Sequence, residues 1–341
     1  PADGGAGAGP LRRDARRPGR GGGSSDVRHH VPHPLGLRVQ PGEPRGYHID
    51  LRAKLDSPDW EPPADPARTM WIDHVTQPGL AMFEHHVYGR GPEWLAGAVR
   101  LAEHLVRTQS REPGLEGAWT YGYPFPHTFH LEPPWVMAMA QGQATSLLVR
   151  AAAATGQDRF AEAARRGIDA LARDVGTPGG VRSRLPTGGV LYEEYPTDPP
   201  AHVLNGAIYT LFGIWDLWQL TGDAAVGEMY AEAAEGIAGG LGLWDLGHWS
   251  RYDLYPHPPG VNVASPFYHR LHIDQLAALE RISDDERFGA RRRRFEGYAA
   301  NPVNQARAVA RKVVFRLRSP RSSLLGEIRA GIAERLPGRR A

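Results

Sequence analysis

Tyrosine, tryptophan, histidine and proline are concentrated at three places in this chain. Residues 117–127 include Trp119, Tyr121, Tyr123 and His127. Residues 188–200 include Tyr192, Glu193, Glu194 and Tyr195. Residues 248–270 include Arg251, Tyr252, Asp253, Tyr255, Tyr268, His269 and Arg270. Any one of these phenols reads equally well as packing. As a set they offer proton donors and acceptors beside fixed charge. Cysteine is absent, which removes thiolate nucleophiles, disulfides and cysteine-ligated metals. No Ser-His-Asp spacing stands out. A pair of carboxylates alone would suit glycoside hydrolysis. Phenols beside a carboxylate and cations suit another task, the removal of a proton α to a sugar carboxylate. That proton is very weakly acidic, so the enolate-like charge that develops must meet donors or cations. Tyrosine, with an ordinary pKa of about 10, serves when its surroundings tune it. Returning the proton to the opposite face inverts the carbon, whereas losing the 4-substituent gives β-elimination. Residue chemistry leaves these two outcomes level.

The elements that carry these segments repeat. An apolar helix, a tight turn, an Ala/Arg-rich helix and a long Gly/aromatic loop follow one another. The turns fall at Tyr88-Gly89-Arg90-Gly91-Pro92, Thr155-Gly156-Gln157-Asp158, Thr221-Gly222-Asp223 and Ser283-Asp284-Asp285-Glu286. Their spacing of about 65 residues predicts stacked or circularly arranged helical hairpins. Leu147, Leu148, Ala151 and Ala154 form an i, i+3, i+4, i+7 stripe, as do Ile208, Leu211, Phe212 and Trp215. Asp223 and Asp285 are well placed to cap the second helices. The expected fold is all-α, an incomplete (α/α) toroid of about four hairpins. Loops at equivalent points of such a repeat come together at one end, and loops longer than about 12 residues are usually functional.

At 341 residues the chain can build a substantial core. Residues 1–31 are rich in Gly, Arg and Pro and are expected to be disordered. Residues 32–70 should wrap the outside irregularly, residues 71–300 form the helical domain, and residues 301–341 make a basic helical extension. Within that extension, residues 305–318 read as a solvated amphipathic helix or as a surface for a membrane or polyanion. The net charge of +2 is too small to argue for nucleic acid, which is not expected as a partner, and no stretch reaches the length of a membrane span. The N-terminal residues show no apolar signal core. The i, i+3 pairs His127/His130 and His269/His272 lack a carboxylate cluster, so neither a metal nor a cofactor is expected.

Four motifs, in order, resemble those of the heparosan glucuronyl 5-epimerase family. They are Trp135 to Gln143 (Trp-Val-Met-Ala-Met-Ala-Gln-Gly-Gln), Tyr192-Glu193-Glu194-Tyr195-Pro196 with Val203-Leu204-Asn205-Gly206, Tyr252-Asp253-Leu254, and Tyr268-His269 with His272-Ile273-Asp274-Gln275-Leu276. The resemblance covers roughly residues 72–290. It implies an (α/α) toroid that interconverts D-glucuronate and L-iduronate within a polysaccharide. Residue by residue, Glu194 and Tyr195 fall on a catalytic Glu-Tyr pair, Tyr268 on the opposing tyrosine and Tyr252 on a further active-site tyrosine. Arg251, Tyr255, His269, Arg270, Asn205, Trp119 and Arg184 are the expected substrate contacts. Helix-end hydrogen bonding is the plainer reading of Gln141, Gln143 and Asn205. The chain departs from the family at Tyr255, where an arginine is usual, and at Pro78, where Gln-Tyr-Gly-Leu reads Gln77-Pro78-Gly79-Leu80. The Arg/Ala/Gly/Pro bias points to a GC-rich bacterial genome. The expected partner is a uronic-acid polysaccharide, with a homodimer left open and the compartment unassigned. A uronate lyase, an unsaturated-uronyl hydrolase and a non-catalytic carbohydrate binder are the competing functions.

Overall fold

The computed structural model describes residues 46–62, 71–125, 128–258 and 260–319. The expected disordered segment 1–31, residues 32–45 and 63–70 of the expected wrapping segment, His127, and residues 320–341 of the expected extension lie outside them. The described chain is mostly helical, as expected. In chain order the helices are α1 (Asp73–Val87), α2 (Pro92–Thr108), α3 (Ala138–Thr155), α4 (Asp158–Asp169), α5 (Leu204–Thr221), α6 (Ala224–Gly240), α7 (Pro266–Ile282), α8 (Glu286–Ala299) and α9 (Pro302–Arg318).

The tight turns read from the sequence do join helix pairs. Gly156 and Gly222 end α3 and α5 at φ 66° and 67°, each returning its N–H to the preceding turn. Only glycine takes that left-handed conformation without cost, so each helix stops where its glycine stands. Asp223 caps α6 by accepting from the Ala225 and Val226 N–H groups, and Asp285 caps α8 by accepting from Arg287. Both caps were anticipated.

Pairs α1–α2, α3–α4, α5–α6 and α7–α8 pack internally, and α1, α3, α5 and α7 pack on one another in succession. Burial follows that division. Every residue of α3 from Ala138 to Ala153 is buried, whereas α4 buries only Phe160, Ala163, Ala164, Gly167 and Ile168. A helix apolar on all sides belongs inside, and one with a single apolar stripe belongs outside. The α3–α5 contact is backbone to backbone. A Cβ on Gly142 would stand 2.5 Å from the Thr210 Cα, and one on Gly213 would stand 2.3 Å from the Gly142 carbonyl oxygen. This close approach brings the N-terminal ends of α3 and α5 side by side.

Residues 46–51 do not wrap the outside. Tyr47, His48, Ile49 and Leu51 are buried in the core. The cause is a buried charge cluster. Arg150 donates to Asp216 Oδ2 at 2.6 Å and to the Gly46 carbonyl at 2.8 Å, while His48 Nε2 meets Asp216 Oδ1 at 2.9 Å. Glu84 adds a second anchor, accepting the Tyr47 and Leu51 N–H groups at 3.2 and 2.6 Å. Inside α1, Pro78 has no N–H to give the His74 carbonyl, and the Trp60 indole donates to that oxygen instead, at 2.8 Å.

Each long loop is pinned by a short antiparallel pairing. Strands β1 (Thr120–Tyr121) and β2 (Trp135–Val136) pair in the first loop, and β3 (Arg182–Arg184) and β4 (Val190–Tyr192) in the second. Single bridges, Asp245 to Ser250 and Arg251 to Val263, serve the third. The loops also bind one another. Ala138 N–H donates to the Glu193 carbonyl at 3.0 Å, and Leu254 N–H to the Ala201 carbonyl at 2.9 Å.

Candidate active site

Glu194 leaves β4 and turns into the molecule, where it is 3% exposed. Its neighbour Glu193 holds that turn. The Glu193 carboxylate takes the Ser183 hydroxyl at 2.5 Å, meets His202 Nδ1 at 2.7 Å and accepts the His202 N–H at 2.7 Å. His202 itself lies at φ 50°, a strained conformation for a residue with a Cβ, and these bonds offset the strain. Glu194 then packs on the first turn of α5. A Cβ on Gly206 would come within 2.4 Å of Glu194 Oε2, so glycine there makes room for the carboxyl.

Three groups hydrogen-bond that carboxyl. Asn205 Nδ2 donates to Oε2 at 3.3 Å, the Tyr252 hydroxyl donates to Oε1 at 3.4 Å, and the Tyr195 hydroxyl donates as well. Burial pushes the Glu194 pKa up to about 8, against these hydrogen bonds and aided by the charge of Asp73. Tyr195 and Tyr252 are both pushed well above the ordinary tyrosine range, first by burial and then by Glu194. A proton among these groups is therefore held more tightly than on exposed ones. The carboxylate is a stronger base than that of an exposed glutamate.

Aromatic packing sets the tyrosine rings. Tyr195 stacks on Phe129 with centroids 4.8 Å apart and tilts against Phe125 at 4.7 Å. Tyr252 meets Tyr268 edge to face at 4.7 Å. Tyr268 stands in the first turn of α7, whose N-cap Ser265 accepts the Tyr268 N–H.

A cleft of about 410 Å³ opens onto this group. Glu194, Tyr195, Asn205, Tyr268 and Arg270 line it, so five expected site residues share one cavity. Tyr252 reaches it through Glu194 and Tyr268. Five other expected contacts stand elsewhere. Trp119 is buried, with its indole on the Leu105 carbonyl at 2.9 Å. Arg184 closes the β3–β4 turn onto the Gly188 carbonyl at 3.0 Å. Arg251 donates to the Asp253 carbonyl at 3.1 Å. Tyr255 packs edge-on against Phe129 at 5.5 Å. His269 is buried on Trp249, with Nδ1 at 2.8 Å from the Ser250 hydroxyl and Nε2 at 3.1 Å from the Phe295 carbonyl. That environment lowers its pKa to about 4, chiefly through burial. His272 shares the Ser250 hydroxyl at 3.0 Å. Among the described residues no group of three His, Asp or Glu side chains is arranged to hold a metal ion.

The cleft also holds residues that were not among the expected site residues. Lys54, Gln77, Tyr209 and Asp274 line it. Lys54 Nζ donates to Gln77 Oε1, and although the side chain is largely exposed its ammonium is partly desolvated, which lowers its pKa. Burial raises Asp274 to about 7 despite the opposing charge of Arg270. Lys54 lies in a stretch without periodicity, so no local signal marked it. Tyr209 stands one turn after Asn205 on the same face of α5 and so reaches the cleft with it.

A protein-family model described as D-glucuronyl C5-epimerase C-terminus matches residues 114–297, more than half of the chain. The D-glucuronyl C5-epimerase of Caenorhabditis elegans is 34% identical over 183 residues, covering 50% of this chain and 29% of that protein. An uncharacterized protein of Methanocaldococcus jannaschii is 31% identical over 202 residues, covering 57% of this chain and 64% of that protein. The chain thus spans less than two thirds of the length of either relative.

Proposed function

The chain belongs to the D-glucuronyl C5-epimerase C-terminus family, and from that premise we propose that its cleft inverts carbon 5 of a glucuronate unit in a polysaccharide. The observation that carries this reading is one buried carboxyl, Glu194, hydrogen-bonded by the tyrosines Tyr195 and Tyr252, with Tyr268 against Tyr252. The four-hairpin arrangement, read as an arc of an (α/α) toroid, gathers them at one end.

In this mechanism Glu194 takes the phenolic proton of Tyr195 as the Tyr195 oxygen takes hydrogen from carbon 5. The C–H electron pair moves into the sugar carboxylate, which becomes an enediolate. Lys54 and Arg270, the cations of the cleft, stabilise that charge. They fill the role left vacant where Tyr255 replaces the family's arginine. Tyr268 then gives its proton to the opposite face. The proton gained by Glu194 returns toward Tyr268 through the Tyr252 hydroxyl. The reverse reaction exchanges the roles of Tyr195 and Tyr268.

Asp274, a second carboxyl in the cleft, favours one other reading, glycoside hydrolysis by two carboxyl groups. Incubation with glucuronate polymers in deuterated water separates these functions. Deuterium at carbon 5 of intact chains is the expected result. Unsaturated uronate ends would indicate a lyase, released sugars a hydrolase, and binding without reaction a carbohydrate-binding protein.

A further inference from the structure

Helix α9 begins beyond residues 114–297, the span matched by the family model. Its composition suggested a solvated extension, yet it lies back across the active-site loops. Ala308 and Phe315 are its buried residues. Lys312 falls between them, so 308, 312 and 315 follow the i, i+4, i+7 spacing of one helix face. Phe315 meets the His257 ring edge-on at 5.1 Å, and Arg316 donates to the Thr128 hydroxyl at 3.1 Å. The helix therefore touches both the first loop and the third.

Lys312 makes the contact that bears on the chemistry. Its ammonium donates to Asn262 Oδ1 at 2.7 Å and stands 5.4 Å from the centroid of the Tyr252 ring. Asn262 is tied to Tyr252 by its backbone as well, because its carbonyl accepts the Tyr252 N–H at 2.8 Å. Its amide nitrogen donates to Asp253 Oδ2 at 2.6 Å, and His257 Nε2 meets the same oxygen at 3.0 Å. One lysine thus touches the ring of Tyr252 and the residue that pairs with its backbone.

We infer that Lys312 is a positioning residue, holding the Tyr252 ring so that its hydroxyl stays on Glu194. Lys312 is not among the residues lining the cleft, so it acts through Tyr252 and not on substrate. The Tyr252–Glu194 hydrogen bond is long, at 3.4 Å, and a small swing of the side chain about its Cα–Cβ bond would break it. A cation over the aromatic face opposes such a swing, because the attraction falls as the ring moves away from the ammonium. The assignment to catalysis rests on the epimerase reading, whereas the geometry does not.

Full-length Lys312→Met and Lys312→Arg, with ring-13C-labelled tyrosine, test the inference. The Tyr252 signal is identified by its loss in Tyr252→Phe. Lys312→Met should move the Tyr252 ring signal and lower kcat for deuterium incorporation about 10- to 100-fold, the scale of an ångström misplacement, with KM little changed. Lys312→Arg should restore both, and the melting temperature should hold in each. An unmoved Tyr252 signal in Lys312→Met overturns the inference. So does a loss of kcat that accompanies a lowered melting temperature and is not rescued by arginine. If the wild-type chain incorporates no deuterium, the epimerase reading fails, and the ring signal alone still decides whether Lys312 holds Tyr252.

Discussion

The Tyr252 hydroxyl donates to Glu194 Oε1 at 3.4 Å, although 58 residues separate them along the chain. The two sit on different loops, each pinned by its own short pairing, and α5 starts between them. This convergence makes the cleft a candidate for proton transfer, and the following outcomes are expected from it.

Tyr195→Phe and Tyr268→Phe each remove one hydroxyl and almost no volume, so both variants should fold. Loss of a general acid or base typically costs about 10²- to 10⁴-fold in rate, and each should lose epimerisation on that scale. Exchange without inversion should survive for one uronate in one variant and for the other uronate in its counterpart. Deuterium incorporation into separate glucuronate and iduronate polymers reads this directly. Near-normal epimerisation by Tyr268→Phe would remove Tyr268 from the mechanism.

Glu194 acts as a base only when ionised, and its pKa stands near 8. Below that value the protonated fraction grows, so kcat should fall about tenfold per pH unit as pH drops from about 7 to 5. Above about pH 8 it should level. A stopped-assay profile of deuterium incorporation gives the limb. Glu194→Gln should be slow and should lose this limb. If the limb persists unchanged in that variant, another group titrates.

Lys54→Met should weaken capture of the sugar carboxylate. A hydrogen bond to a charged group contributes about 1.5–3 kcal/mol, so kcat/KM should fall roughly 10- to 100-fold. Arg251→Met serves as a control, since the Arg251 side chain donates to the Asp253 carbonyl and does not line the cleft. Equal losses in the two variants would contradict the assignment of Lys54.

Arg150→Met should strand the Asp216 carboxylate in the core. Burial alone would raise the Asp216 pKa, but the charges of Arg150 and His48 hold it near 2, so the group is ionised at neutral pH. Removing one partner of a buried pair typically costs about 3–5 kcal/mol, measurable by urea denaturation. The loss should also loosen residues 46–55, which carry Lys54 into the cleft. A stability change below about 1 kcal/mol would mean the cluster is not what anchors that segment.

Local signals along the chain were enough to read the helical hairpins. Gly156, Gly222, Asp223 and Asp285 act within a turn of their own position, so they speak without a tertiary context. The motifs around Glu194, Tyr195, Asn205 and Tyr268 were legible as well, and these residues line the cleft together. The neighbours chosen by loop membership fared differently. Arg251, Tyr255 and His269 sit in the right loops, but a loop residue can face the cleft or the scaffold, and backbone pairing decides which.

The sequence by itself determined that the chain is mostly helical, where tight turns join helices into pairs, and which residue types could move a proton. Those properties depend on spacing and on caps a few residues away. Tertiary structure alone decided that Lys54 enters the cleft and that Lys312 stands over Tyr252. The first depends on Arg150 reaching Gly46 across 104 residues. The second depends on α9 meeting the third loop, 50 residues before it. Such contacts are set by a buried charge finding its partner and an apolar face finding cover, and neither leaves a periodic trace in the chain.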